Sequence, residues 1–324
     1  MTLDFKYSPS NIDYIEDLEK YQPNGFHPVH LGDQYDKVES GGHRYEVIHK
    51  LGFGGFSTVW LAHGLIDEGY VALKIISASQ SSYGVTPAVT SILESHPAKI
   101  FVTELRRFLI SGPNGELSVR QLARQAAQGL EFLHARGLCH GDFRVNNLVL
   151  ALAPSFYQRS KDELLNLLGP PIRDPILAYG GNKTGSAPDY VVEPADLTKL
   201  GPSYLTDILM VVDFDQLFGF QVVGEQPLPA GIPPNPGFNV GIPINYLAPE
   251  GTGSTLFCVL DKNVLPNWAN VECGFPHIAR DEVAQLLDLL RIVFEYDTTK
   301  RVTAAEIVTH LWLAREGVDG GGTS

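Results

Sequence analysis

The sequence predicts an α+β fold, in which a β-rich N-terminal part is followed by a mainly helical C-terminal part. Residues 44–48, 58–62 and 70–76 alternate in polarity or are rich in β-branched and aromatic side chains, a pattern typical of strands. Turn residues separate these segments, which indicates a small antiparallel meander. Further along the chain, apolar residues recur every three or four positions, as they do along one face of an α-helix.

Capping signals predict where the helices of the C-terminal part begin. A Ser or Thr followed three residues later by Glu or Gln is a capping box, and it occurs at Ser118, Ser160 and Thr303. Asp281 is a further candidate N-cap. Gly137 is expected to end the first of these helices. The apolar stripe expected on that helix comprises Val119, Leu122, Ala126, Leu130 and Leu133.

Composition narrows the function classes. The chain has 324 residues and a formal net charge of −13, so phosphates would repel it, and we expect no direct nucleic-acid binding. Basic peptides are plausible partners, although the charge could equally serve solubility alone. Three cysteines without a CxxC pair indicate a reducing compartment. No apolar stretch approaches the length of a membrane span, and we expect a soluble protein of the cytoplasm and nucleus.

The most specific chemistry lies in the run from Cys139 to Asn147. Asp142 follows His140 by two residues, Asn147 follows Asp142 by five, and Asp213 comes after a later apolar run. One carboxylate in this order can accept the proton of a substrate hydroxyl, while an amide and a second carboxylate hold Mg²⁺ against the phosphates of ATP.

A glycine-rich segment and a lysine suggest a phosphate site. Gly52, Gly54 and Ser57 form a GxGxxS run between two predicted strands. Glycines let backbone N–H groups approach phosphate oxygens without a Cβ clash, but an ordinary hairpin would show the same run. Lys74 lies within an apolar strand, where an ammonium needs an anionic partner. The alternative is a lysine that extends to the solvent at the strand edge.

Together these motifs resemble the protein kinases. Five motifs occur in the order of that family: Gly52-x-Gly54-x-x-Ser57-x-Val59, Val71-Ala72-Leu73-Lys74, His140-x-Asp142-x-x-x-x-Asn147, Asp213-Phe214-Asp215 and Ala248-Pro249-Glu250. Glycine at position 141, the segment 21–33 and a long insert after Asn147 resemble the SR-protein kinase-like branch, particularly its fungal members. The resemblance spans about residues 20–313 and implies a bilobal protein-kinase-like fold with a truncated C-lobe.

The resemblance also implies boundaries. Residues 1–43 would form a leader that packs on the kinase domain, and residues 44–116 would form the N-lobe. Residues 117–313 would form the C-lobe, with an insert at 148–206, and residues 314–324 a disordered tail.

The resemblance implies an ATP- and Mg²⁺-dependent serine/threonine kinase that phosphorylates serine in Arg/Ser-rich proteins such as splicing factors. Asp142 would orient and deprotonate the serine, Arg144 would neutralise the transferring phosphate, and Lys74 would hold the α- and β-phosphates. Asn147 and Asp213 would bind Mg²⁺. The nucleotide would contact a set of residues that surrounds the glycine-rich turn: Leu51, Gly52, Phe53, Gly54, Gly55, Phe56, Ser57, Val59 and Lys74.

Four departures from the family pattern keep two alternatives open. Val89 stands where a Glu should pair with Lys74, and residues 112–115 run straight into the helix signal without an adenine hinge. Residues 251–254 follow Glu250 where a central helix is expected, and Asp215 replaces a glycine. The first alternative is a catalytically impaired kinase-like protein that binds partners. The second is a chain that does not fold stably.

Overall fold

The computed structural model describes residues 5–37, 42–66, 68–80, 101–102, 119–181, 185–214, 218–219, 222–223, 226–227, 280–295 and 300–314. The chain divides into two compact units. The first unit contains residues 1–115 and 149–208, and the second contains residues 116–148 and 209–324.

A four-stranded antiparallel sheet forms the centre of the first unit. Its strands lie in the order β1 (Gln34–Lys37), β2 (His43–Phe53), β3 (Ser57–Gly64) and β4 (Tyr70–Ile76). The predicted meander is therefore confirmed as β2–β3–β4. Trp60, Leu61 and Ala62 are all buried along β3, so both faces of this strand are covered, and the β-branched and aromatic content of the segment suits such a position.

Most of the segment that follows the run from Cys139 to Asn147 also folds in the first unit. It contains β7 (Leu148–Leu152), α2 (Pro154–Tyr157), α3 (Lys161–Leu168), β8 (Arg173–Pro175), β9 (Tyr190–Val192) and β10 (Leu205–Val211), whereas β5 (Phe101–Val102) precedes it in the chain. The strand β7 lies between β10 and β5 in a three-stranded sheet. Ser160 and Glu163 form the predicted capping box of α3.

This grouping differs from the placement of residues 148–206 in the C-terminal lobe that the sequence suggested. Phe156, Leu164 and Leu168 pack in one buried cluster with Ile48 and Leu61 of the central sheet. The ammonium of Lys161 also lies 2.7 Å from the carboxylate of Glu46. Periodicity identifies the apolar side of such a segment but does not identify the surface that covers it.

The leader is part of the same unit. Tyr7, Tyr21 and Phe26 share a buried cluster with Ile176 and Val191, so the leader and the segment after β7 bury each other's apolar side chains. A single helical turn, Leu18–Lys20, is capped by Asp17, whose side chain accepts a hydrogen bond from the Glu19 N–H. The leader thus has a defined position against the segment that follows β7.

The second unit is mainly helical. Its helices are α1 (Val119–His134), α4 (Arg280–Val293), α5 (Ala304–Thr309) and α6 (Leu311–Ala314), and its short strands are β6 (Leu138–Cys139), β11 (Phe218–Gly219), β12 (Val222–Val223) and β13 (Gln226–Pro227). Ala127, Leu289, Trp312 and Leu313 form its buried cluster. Gly137 follows α1 with a φ of +68°, a left-handed conformation that glycine adopts without a Cβ penalty.

Some helix details differ from the sequence-based expectations. Leu122 and Leu133 are buried as predicted, but Val119 is 57% exposed because it lies at the first position of α1. Asp281 lies within the first turn of α4, which begins at Arg280, and is therefore not its N-cap. Thr303 and Glu306 form the predicted capping box of α5.

Several interpretations concern residues outside the described ranges. These are the cap at Ser118, the missing glutamate position at Val89, the segment 112–115, the motif at 248–250 with residues 251–254, Asp215, the tail from 315, and two of the three cysteines. Among the described residues, no helix is long and apolar enough to cross a membrane.

Candidate active site

The run from His140 to Asn147 lies in the second unit and connects β6 to β7. The helix α1 lies beneath it, and Gln125 of this helix accepts a hydrogen bond from the Leu209 N–H at 2.8 Å. A Cβ at Gly129 would stand 3.0 Å from Cγ2 of Val211. A glycine in α1 thus lets the helix approach the strand that leads to Asp213.

His140 connects the loop that carries Asp142 to the backbone that precedes Asp213. Its side chain is fully buried, and Nε2 lies 3.0 Å from the carbonyl oxygen of Val212. Because a carbonyl only accepts, Nε2 carries the proton and Nδ1 is left to accept the Asp142 N–H, at 3.3 Å. The rings of Phe143 and Phe214 pack on the imidazole. His140 is therefore a neutral support for the loop, and it holds Asp142 beside Val212, the residue that follows β10.

Asn147 fixes the carboxylate of Asp142. Its Nδ2 donates to the Asp142 carbonyl at 2.8 Å and to Oδ2 of the same residue at 3.0 Å. The backbone carbonyl of Asn147 accepts the Val212 N–H at 2.9 Å. Since both bonds use the amide nitrogen, the side-chain oxygen of Asn147 remains an acceptor that can serve a cation.

Arg144 adds positive charge beside the same carboxylate. Its Nε lies 3.2 Å from Oδ2 of Asp142, but the pair is not aligned as a hydrogen bond. The Arg144 side chain is 31% exposed. Asp142 and Arg144 both line an open cavity with Leu130, Cys139, His140, Gly141 and Phe143. A substrate hydroxyl entering this cavity would meet the Asp142 carboxylate, which accepts a hydrogen bond from Asn147 and lies beside Arg144.

Asp213 has a left-handed backbone, with a φ of +66°. Asp is among the few residues other than glycine that adopt this conformation at moderate cost, and such outliers often occur at functional sites. Both backbone polar groups of the preceding Val212 are bonded, to Asn147 and to His140. Asp213 and Asn147 are thus positioned by one hydrogen-bonded scaffold.

The oxygen donors at Asn147 and Asp213 fit Mg²⁺, which usually binds one or two carboxylates together with substrate phosphates. Within the described ranges, no group of three or more His, Cys, Asp and Glu side chains could hold a metal by itself.

The predicted nucleotide residues lie in the first unit, and the register of its sheet brings several of them together. Val59 of β3 stands opposite Gly52 of β2 and opposite Lys74 of β4. These three residues form one row across the sheet, next to the turn. The glycine-rich run is a turn between two antiparallel strands, as predicted, and not the strand-to-helix turn of a dinucleotide fold.

The backbone of the turn is accessible. A Cβ at Gly52 or Gly55 would have no neighbour within 4 Å, and at Gly54 it would meet only Oγ of Ser57, at 3.9 Å. The turn is closed by a hydrogen bond from the Gly54 N–H to the Ser57 carbonyl at 2.8 Å. Leu51 and Phe53 are half-buried at the end of β2, and Phe56 is exposed at the tip.

Sequence reasoning missed a buried ion pair next to this turn. Lys50 is fully buried, and its ammonium donates to the carboxylate of Glu16 in the leader. Glu16 also accepts a hydrogen bond from the Tyr21 hydroxyl at 2.6 Å. Burial lowers the pKa of Lys50, and burial beside Glu16 raises the pKa of Tyr21. The signal that singled out Lys74, a lysine within an apolar strand, is also present at Lys50.

Three histidines with lowered pKa values lead us to expect a loss of stability in mild acid. Burial lowers the pKa of His140, although the Val212 carbonyl and two carboxylates oppose the shift, and burial also lowers the pKa of His49 and His134. Below about pH 6.5, the unfolded chain binds protons that the folded chain does not. Stability should therefore fall as the pH drops from about 6.5 through the lowered folded-state values.

Thermal unfolding at pH 7.5 and pH 5.5 tests this expectation. The midpoint should fall by roughly 2–4 °C for each 1 kcal/mol lost. His140→Gln should make the midpoint less dependent on pH, whereas His27→Gln changes an exposed histidine and is the matched control. Equal midpoints at the two pH values for the wild type would contradict the assignment of neutral buried imidazoles.

Comparisons with known proteins find similar serine/threonine-protein kinases. The chain is 26% identical over 216 residues to the serine/threonine-protein kinase spk-1 of Caenorhabditis elegans. The aligned region covers 56% of this chain and 20% of that protein. SRSF protein kinase 3 of Homo sapiens is 27% identical over 180 residues, 44% of this chain and 31% of that protein. The kinase SKY1 of Saccharomyces cerevisiae is 26% identical over 176 residues, 42% of this chain and 23% of that protein.

No protein-family model matches the chain. A crystal structure of a kinase domain matches 89% of the chain and 99% of its own length, with a TM-score of 0.43 and 14% identity. The chain spans between about a fifth and a third of the length of the relatives named above. The resemblance predicted from the motifs is confirmed by those relatives: the chain is similar to serine/threonine-protein kinases, among them an SRSF protein kinase.

Proposed function

We propose that the chain is an ATP-dependent serine/threonine-protein kinase that phosphorylates serine in Arg/Ser-rich proteins. The observation that carries this proposal is the geometry around Asp142, whose carboxylate is held by Asn147 and flanked by Arg144. The relatives support the same reaction class, since their names describe serine/threonine and SRSF protein kinases.

Asp142 is the residue that would act on the substrate hydroxyl. A general base must lie within hydrogen-bond reach of the proton it accepts, and Asp142 lines an open cavity. The serine Oγ forms a bond to the γ-phosphorus of ATP, the bond to the bridging oxygen breaks, ADP leaves, and the hydroxyl proton passes to Asp142. Arg144, adjacent to the same carboxylate, would stabilise the negative charge of the transferring group.

The remaining residues would hold the nucleotide. Lys74 would contact the α- and β-phosphates, and the accessible backbone of residues 52–55 would receive phosphate oxygens. Asn147 and Asp213 would hold Mg²⁺, which neutralises phosphate charge when it is bound. In each case the protein supplies position and fixed charge, which account for most of the rate in phosphoryl transfer.

The net charge of −13 suits a basic substrate, because long-range attraction increases the association rate of oppositely charged partners. An Arg/Ser-rich segment is such a substrate. We also place the protein in the cytoplasm and nucleus, because its cysteine content suits a reducing compartment.

The alternative of a partner-binding protein without activity rests on Val89 and residues 112–115, and none of the described residues favours it.

A transfer assay tests both the reaction and the substrate class. We expect the purified chain to transfer labelled phosphate from Mg-ATP to an Arg/Ser peptide, and removal of Mg²⁺ with a chelator should abolish the transfer. A peptide with Ala in place of Ser should receive no label, and a Lys/Ser peptide separates charge from recognition of arginine. Transfer to the Ala peptide, or transfer that persists without Mg²⁺, would contradict the proposed reaction.

A further inference from the structure

The leader reaches the tip of the glycine-rich turn through one side chain. The ammonium of Lys20 donates a hydrogen bond to the backbone carbonyl of Gly55 at 2.6 Å. The same ammonium lies 5.8 Å from the ring centroid of Phe56 and 5.4 Å from that of Phe26. One lysine therefore joins an aromatic residue of the leader to the two residues at the tip of the turn.

Lys20 is itself well positioned within the leader. It ends the capped turn Leu18–Lys20, and its carbonyl accepts the N–H groups of Gln22 at 3.0 Å and Phe26 at 2.9 Å. A Cβ at Gly25 would stand 1.9 Å from that carbonyl, so the local fold closes tightly around it. The next residue, Tyr21, belongs to the buried group with Glu16 and Lys50. The backbone of Lys20 is thus fixed by contacts that do not involve its own side chain.

A second connection runs from the leader to the turn through the segment after β4. The N–H groups of Ala78 and Ser79 donate to the carbonyls of Gly25 and Asn24, at 3.0 and 2.9 Å. The neighbouring Ser77 N–H donates to the carbonyl of Phe56 at 2.7 Å. The carbonyls of two consecutive turn residues, Gly55 and Phe56, are therefore both held. The leader bonds the first directly and also bonds the two residues that follow Ser77, which bonds the second.

Holding the Gly55 carbonyl has a consequence for its peptide group. Because the peptide unit is planar and trans, the carbonyl of Gly55 and the N–H of Phe56 point in opposite directions. A hydrogen bond from Lys20 to that carbonyl therefore directs the Phe56 N–H away from the leader. Glycine-rich turns have many accessible conformations, so such a bond reduces the number that must be lost when a ligand binds.

We propose that Lys20 is a positioning residue that holds the glycine-rich turn in one conformation and thereby increases the affinity for nucleotide phosphates. This inference rests on the proposed function for its second half, whereas the effect on the turn can be tested without any nucleotide. Lys20 acts through the backbone of Gly55, and its role is distinct from that of Lys74 on strand β4.

Hydrogen exchange in the absence of nucleotide tests the first half. In Lys20→Met, which keeps the aliphatic part and removes the ammonium, peptides covering residues 54–57 should exchange about two- to tenfold faster, the change expected for one hydrogen bond. Lys20→Arg should restore slow exchange. Lys6→Met is the matched control, because Lys6 is an exposed leader lysine that donates to Gln22. Unchanged exchange at 54–57, or faster exchange throughout the first unit, would overturn the positioning role.

Titration of the same variants with Mg-ATP tests the second half. The dissociation constant of Lys20→Met should rise about two- to tenfold, the same factor as in exchange, while Lys6→Met and Lys20→Arg stay near the wild type. If the wild type binds no Mg-ATP while exchange changes as expected, the proposed function fails and the positioning of the turn stands. Equal affinities in wild type and Lys20→Met would overturn the effect on nucleotide binding.

Discussion

Replacement of Asp142 by Asn should reduce the rate of phosphate transfer to serine by about 10²–10⁴-fold, the usual contribution of a general base. The amide keeps the shape of the carboxylate, so the contacts with Asn147 can be largely retained. It cannot accept the serine proton, and it removes the negative charge that Arg144 faces at 3.2 Å. The loss should therefore appear in kcat, while the affinity for Mg-ATP and the stability change little.

Steady-state kinetics and Mg-ATP titration on the same preparations measure this separation. Asp13→Asn changes an exposed aspartate of the leader and is the matched control for the loss of one negative charge. Transfer by Asp142→Asn at the wild-type rate would show that another group accepts the proton. A parallel loss of Mg-ATP binding and of thermal stability would show that Asp142 is structural.

Replacement of Glu16 by Ala should lower the free energy of unfolding by about 3–5 kcal/mol, the usual cost of removing one partner from a buried ion pair. Lys50 is fully buried, so its ammonium would lose its anionic acceptor without access to water. The rings of Phe53 and Trp60, whose centroids lie 5.5 and 5.3 Å from the ammonium, offset only part of this loss. Tyr21 would also lose the acceptor of its hydroxyl.

Urea unfolding of the wild type, Glu16→Ala and the double variant Glu16→Gln with Lys50→Met measures the effect. The double variant removes both charges and should be more stable than Glu16→Ala, because no charge is left buried without a partner. A loss below about 1 kcal/mol for Glu16→Ala would indicate a solvated pair and would contradict the buried position. A cooperative transition of the wild type would also argue against a chain that does not fold stably.

Features of the fold that depend on neighbouring residues could be predicted from the sequence. The strands at 44–48, 58–62 and 70–76 and the capping boxes at Ser160 and Thr303 depend on short segments, and the structure has them where the patterns indicated. The order of Asp142, Asn147 and Asp213 likewise pointed to one site, because a short loop and the end of one strand carry all three.

Features that depend on distant partners could not be predicted. The apolar residues of α3 were evident, but the pattern does not show that Leu164 packs with Ile48 and Leu61 of the sheet. The row of Gly52, Val59 and Lys74 depends on register, which includes two irregularities between β2 and β3. The pair of Glu16 and Lys50 joins residues 34 positions apart, and only the folded chain identifies which anion meets that lysine.

Mass spectrometry of an Arg/Ser peptide after incubation with Mg-ATP and the purified chain tests the central claim most directly, with Asp142→Asn in a parallel reaction. We expect phosphoserine to accumulate with time in the wild-type reaction and to stay at trace level in the variant reaction. Absence of phosphoserine in both reactions, or equal amounts in both, would contradict the claim that Asp142 and its neighbours form a phosphoryl-transfer site.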